Sequence, residues 1–152
     1  MGEIKFRLKT VEEKPEKNSK SNNIADMWIV FDTKKQGLET LMKDYQKMAM
    51  RFLWERGEEG AVSKDAWLHV NKLLMEKGRS LYRAVIISFL NDMVDAGVLN
   101  YRERKMKGRH HRVYFPAYDE KGFKMHVAKT IISKLFKVWP EATREAIEAH
   151  ER

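Results

Sequence analysis

Residues 79–116 read RSLYRAVIISFLNDMVDAGVLNYRERKMKGRHHRVYFP, and the fold turns on how this stretch divides. Val85, Ile86, Phe89, Leu90, Met93 and Val94 recur at the spacing of one helical stripe. The spacing predicts a helix over 80–96. Ser80 can cap its start through its hydroxyl, and Gly97 can follow its last turn, where a left-handed residue is frequent. Further on, Val98, Asn100 and Arg102 alternate with Leu99, Tyr101 and Glu103, and Val113, Tyr114 and Phe115 return after Lys107-Gly108. Alternation of period two on both sides of a glycine-bearing turn predicts a β-hairpin.

Both halves have an unusual outer face. Helical projection places Ser80, Ala84, Ser88 and Asn91 opposite the apolar stripe, with Arg83 and Ile87 at the margins. Acids arrive only near the far end, as Asp92 and Asp95. One reading is a buried helix with a thin polar face. The other is a helix that lies in a major groove, where small and amide side chains reach base edges. The hairpin bears on this choice. Arg102, Arg104, Lys105, Lys107, Arg109 and Arg112 face a single acid, Glu103, for a net charge of +5, with His110 and His111 beside them. A few lysines protect any exposed sheet edge. Six basic side chains exceed that need and point to phosphate and minor-groove contact.

Upstream, Trp67, Val70, Leu73 and Leu74 predict a second helix, capped by Ser63 and stopped by Gly78. The connection Glu76-Lys77-Gly78-Arg79 then makes a helix, a short turn and a helix, and Arg79 beside the second helix start favours a phosphate there. Leu38, Leu41, Met42, Tyr45, Met48, Ala49, Phe52 and Leu53 predict a helix over 38–56, and Gly60-Ala61-Val62 a short strand after it. Residues 3–10 and 26–31 alternate or run apolar and read as paired strands. Residues 12–23, with Pro15 and no apolar side chain, read as a loop. Downstream, Asp119 can cap a helix through Val138 whose stripe holds Phe123, Val127, Ala128, Ile131, Ile132, Leu135 and Phe136. Pro140 then opens a last helix. So apolar a helix needs a surface. A second copy of the chain supplies one, and packing on residues 38–53 is the alternative.

A polar turn, a helix ending FLNDMVDAGVL, Gly97, and a basic hairpin leaving through Tyr114 and Pro116 together resemble the winged-helix repressors of the BlaI/MecI type. The resemblance covers about residues 40–139. It implies a winged helix-turn-helix with a C-terminal dimerisation helix; with the strands read at the N-terminus as an added β-strand extension, the expected fold is α+β and mainly helical. The extension would span 1–34, the DNA-binding domain 35–118 and the dimerisation segment 119–152. It also implies a transcriptional regulator, a repressor by analogy, bound to double-stranded DNA as a homodimer. Thr and Lys tend to flank the turn of the reading helix in that family, whereas this chain has Arg83, Ala84 and Ile87, so no operator carries over. The N-terminal extension has no counterpart there.

On this reading the helix contacts are Arg79, Ser80, Arg83, Ala84, Ile87, Ser88 and Asn91, with Arg83 or Asn91 reading bases. Arg102, Arg104, Lys105, Lys107, Arg109 and Arg112 hold the backbone or minor groove. The rival reading is a winged-helix interaction module with no DNA affinity of its own; an RNA-binding domain is a further one.

Composition agrees with a polyanionic partner. The chain has 152 residues, a net charge of +8 and no cysteine. A basic balance favours nucleic acid first and acidic membrane second. Without cysteine there is no disulfide framework or thiolate metal site. No catalytic motif is present, so neither enzymatic activity nor a cofactor or metal is expected. His110 and His111 are adjacent on a strand and point to opposite faces. The N-terminus lacks a signal-peptide pattern and no apolar run reaches membrane-spanning length, so a cytoplasmic location is expected.

Overall fold

The computed structural model describes residues 3–7 and 28–152. The loop expected over 12–23, and residues 8–10 and 26–27 of the two expected strands, lie outside these. The architecture is α+β and mostly helical, with a small three-stranded antiparallel sheet. The chain divides into two compact units, 1–119 and 120–152.

In the first unit, β1 (Glu3–Arg7) pairs antiparallel with β2 (Trp28–Asp32), Glu3 lying opposite Asp32. A 3-10 turn (Gly37–Thr40) leads to α1 (Asp44–Arg56). Then follow β3 (Ala61–Val62), α2 (Ser63–Met75), α3 (Arg83–Asp95), β4 (Leu99–Met106) and β5 (Arg109–Pro116). The sheet order is β3-β5-β4. Its centre is β5, which pairs Tyr114 with both Ala61 and Tyr101.

The core forms where the helical stripes meet the sheet. Ala49, Met50 and Leu53 of α1, Ala66, Val70 and Leu74 of α2, and Ile86, Phe89, Leu90 and Met93 of α3 are buried. Val98, Leu99, Val113 and Tyr114 join them from the hairpin side. Each large apolar side chain removed from water contributes about 1.5–3 kcal/mol. Met50, which the expected stripe omits, is fully buried.

Three helix starts differ from expectation. The helix expected from residue 38 is interrupted: Leu41 closes the 3-10 turn, and α1 begins only after Lys43. The Lys43 backbone N–H donates to Gln46 Oε1 at 3.0 Å, which fixes the start there. Ser63 is the first helical residue of α2 and makes no cap; Val62 holds the N-cap position. The third case is the most consequential. Ser80 neither starts nor caps α3, whose N-cap is Tyr82 in extended conformation. Two side chains of α2 hold the preceding peptide out of the helix. The Trp67 indole N–H donates to the Leu81 carbonyl at 2.7 Å, and the Leu81 N–H donates to Asn71 Oδ1 at 2.9 Å. The connection between α2 and α3 therefore spans 76–82, longer than the four-residue turn expected. Gly97 follows α3 at φ +74°, a left-handed conformation that glycine adopts without a Cβ clash.

In the second unit, α4 (Glu120–Val138) and α5 (Pro140–Glu151) are separated by Trp139 alone. Pro140 occupies the first turn of α5, where its missing N–H removes no helical bond. Phe123 and Val127 are buried. Ile132, Leu135, Phe136, Val138 and Trp139 are exposed, Trp139 at 61%.

Candidate nucleic-acid interface

The β4–β5 hairpin runs well beyond the core. Met106 pairs with Arg109, and the two residues between them, Lys107 at φ +51° and Gly108 at φ +77°, make the turn. Positive φ at both positions is the turn whose twist matches the two strands it joins. Residues 100–105 are exposed along β4, as are Arg109, His110 and Arg112 on β5. The distal hairpin is thus a two-stranded ribbon open on both faces.

The register sorts its side chains. Lys105 lies opposite His110 and Glu103 opposite Arg112, on the face shared with Tyr101 and Tyr114. Arg104 lies opposite His111, and Arg102 opposite Val113, on the other face. The two histidines therefore fall on opposite faces. No cluster of three or more potential metal ligands occurs among the described residues. Arg104, Lys105, Lys107 and Arg109 make no ion pair with any described residue. They present unneutralised charge.

Two of the six basic side chains are engaged within the protein. The Arg102 guanidinium donates to the Glu58 carbonyl at 2.8 Å and the Glu59 carbonyl at 2.7 Å, and lies 5.3 Å from the Phe115 ring centroid. It ties the base of the ribbon to the turn before β3. Arg112 donates to Asn91 Oδ1 at 3.1 Å and lies 4.0 Å from the Tyr101 ring centroid. The Tyr114 hydroxyl donates to the same Asn91 oxygen at 2.6 Å. Burial pushes the Tyr114 phenol above its usual pKa, so it stays a donor. Asn91, one of the two expected base readers, has its amide oxygen already occupied by this junction.

The remaining expected contacts lie on α3 and the segment before it. Arg83, Ala84 and Ser88 are exposed, and Ile87 and Asn91 are half-buried. Arg79 and Ser80 sit on the connection rather than on the helix, and Arg79 pairs with Asp44 of α1. That pairing holds the Asp44 carboxyl below its usual range. Ala84 and Ser88 also line a shallow cleft with Tyr45, Gln46, Val85, Phe89 and Asp92. Tyr82, missed in the sequence reading, is 85% exposed at the mouth of α3. A tyrosine one residue before an amphipathic run was its only sequence signal. His69, on α2, stacks on Phe52 at 4.6 Å and so has a packing role.

Asp92 is raised above the ordinary aspartate range by partial burial first and by Asp95 second. A raised acid destabilises the fold when ionised, and this penalty fades as pH falls through the folded-state value, above 3.8. Asp92→Asn is expected to raise the urea midpoint at pH 7, with the gain over wild type shrinking as the buffer is acidified. An equal gain at pH 4 and pH 7 would show that charge is not the cause.

No protein-family model, curated protein or solved structure matches this chain. No helix among the described residues is long and apolar enough to cross a membrane.

Proposed function

We propose that residues 35–118 are a winged helix-turn-helix domain that binds double-stranded DNA, and that the protein is a homodimeric transcriptional regulator. The observation that carries this reading is the ribbon: four basic side chains that pair with no described residue, on a hairpin beside the exposed face of α3. The element order supports it, with a helix, a short strand, two helices and a hairpin closing one small sheet. In this reading Arg83, Ala84, Ile87 and Ser88 meet the major groove, and Asn91 sits where helix and ribbon join. Arg104, Lys105, Lys107 and Arg109 follow the backbone or enter the minor groove. Arg102 anchors the ribbon, and Arg79 reaches phosphate only by leaving Asp44. The test is fluorescence anisotropy of the full chain against a generic duplex over a salt series. Binding that falls steeply with salt is expected. No binding at low salt would sink this reading and leave the interaction-module alternative.

The homodimer forms, on this proposal, through the second unit. Its exposed Ile132, Leu135, Phe136, Val138 and Trp139 need cover, and its two helices complement each other in charge. Helix α4 carries Lys121, Lys124, Lys129, Lys134 and Lys137, and α5 carries Glu141, Glu145, Glu148 and Glu151. A two-fold pairing that sets α4 of one copy against α5 of the other buries the apolar patch and matches the charges. Phe136→Glu with Trp139→Glu is expected to halve the mass by sedimentation equilibrium while leaving helical content unchanged. A wild-type chain that sediments as a monomer would remove the dimer from the proposal.

A further inference from the structure

The junction between α3 and the ribbon constrains how the helix can read a base. Asn91 Oδ1 accepts two hydrogen bonds, from Tyr114 OH at 2.6 Å and Arg112 Nη1 at 3.1 Å. A guanidinium has no acceptor, so the amide atom facing it must be the oxygen and not the nitrogen. Two donors fill the two lone pairs of that oxygen. The junction is also held from behind: Tyr114 is buried and Arg112 lies against Tyr101. The amide nitrogen Nδ2 makes no hydrogen bond with any described residue. Asn91 is half-buried, and among the described residues no buried side-chain nitrogen or oxygen lacks a partner. Nδ2 therefore reaches solvent, on the third turn of α3.

We infer that Asn91 addresses DNA as a hydrogen-bond donor alone and selects guanine at the base it faces. The inference rests on the duplex-binding reading above and assigns a specificity to one of its residues. An asparagine that reads adenine must donate to N7 and accept from the N6 amino group, and here the acceptor is taken. Guanine offers two neighbouring acceptors, N7 and O6, and no opposing donor, so the amide N–H group can bridge them. Cytosine presents an amino donor, which opposes another donor. Thymine offers one acceptor with a methyl group beside it. The usual asparagine–adenine pairing is thus replaced by guanine through the geometry of the junction, with no change of residue.

The test is binding-site selection from a randomised duplex pool, using the full chain and three variants. Wild type should recover a motif with guanine at one position, preferred over adenine by roughly tenfold or more. Asn91→Ala should lose preference at that position and keep the rest of the motif. Arg112→Met with Tyr114→Phe frees the oxygen and should shift that position towards adenine. Asn91→Asp keeps an acceptor for both donors and removes the amide hydrogens, so guanine preference should vanish there even if the double variant folds poorly. Adenine at the Asn91-dependent position in wild type would overturn the inference. So would guanine persisting in Asn91→Asp, or a double variant that binds with an unchanged motif. A wild type that binds duplex without any base preference would overturn it too, leaving duplex binding intact. If wild type retains no duplex at all, the DNA-binding reading itself fails and takes this one with it.

Discussion

Changing Lys105, Lys107 and Arg109 together to alanine is expected to weaken binding to every duplex alike and to flatten its salt dependence. The physical reason is counterion release. Each phosphate contact steepens the dependence of log affinity on log salt by about 0.9. Three lost contacts remove roughly 2.7 from that slope, so between 50 and 200 mM salt wild type should lose on the order of fortyfold more affinity than the variant. These three residues suit the test because they are exposed and make no ion pair among the described residues. Their loss leaves no packing defect to confuse the result. Arg102→Ala is the matched control. It removes one positive charge from the same hairpin, but its guanidinium is bound to the Glu58 and Glu59 carbonyls. It should lower stability and leave the slope nearly unchanged. Equal slopes for wild type and the triple variant would mean that the ribbon does not touch phosphate.

Gly60→Ala is expected to lose more stability than alanine at any other positive-φ glycine among the described residues. Gly60 has φ +67° and ψ −165°, a region essentially confined to glycine. A Cβ built there would lie 2.3 Å from the Tyr114 carbonyl oxygen and 3.1 Å from Val113 Cγ1. Both neighbours belong to the central strand of the sheet, and the first is backbone, which cannot rotate away. Strain of about 1–3 kcal/mol from the dihedral angles alone adds to the clash. The sum should exceed about 3 kcal/mol and lower the thermal midpoint by roughly 10 °C or more. Gly78→Ala is the comparison. It has a positive φ of +73° and nothing within 4 Å of the added carbon, so it carries the cost of a positive φ without the clash. If the two variants melt together, the close approach to β5 has been overestimated.

Much of the fold was legible because its signals are local and periodic. The stripe from Val85 to Val94 and the alternation around Lys107-Gly108 depend only on which side chains face the core, and α3, β4 and β5 fall on them. Pro140 marked the start of α5 for an equally local reason. The start of α3 was not legible. Ser80 is a good capping residue, but Trp67 and Asn71 on another helix decide where the chain may begin to coil, and no window around residue 80 contains them. The candidate site divides the same way. Its charge was readable by counting. The partners of Arg79, Arg102 and Arg112 were not, because each is set by an element distant in sequence: Asp44, the 58–59 carbonyls and Asn91. Asn91 is the sharpest case. Its place on the outer face of the helix suggested a side chain with both ends free, and one end is occupied by Tyr114, which sequence reading had placed only at the exit of the hairpin.

The free end of the ribbon has a consequence for how such a protein changes over generations. Residues 103–110 sit on a scaffold fastened at its base by Arg102 and Arg112, and none of them is part of the core. Substitutions at exposed positions of this kind usually alter stability by less than about 0.5 kcal/mol. A lineage can therefore exchange a basic side chain for glutamate at Arg104, Lys105 or Arg109 one step at a time, never passing through an unfolded intermediate. On the proposed DNA-binding reading, affinity for a polyanion becomes a quantity that drifts separately from the integrity of the domain. Descendants should keep the frame around Gly60, Leu90 and Tyr114 while their ribbon tips diverge in charge.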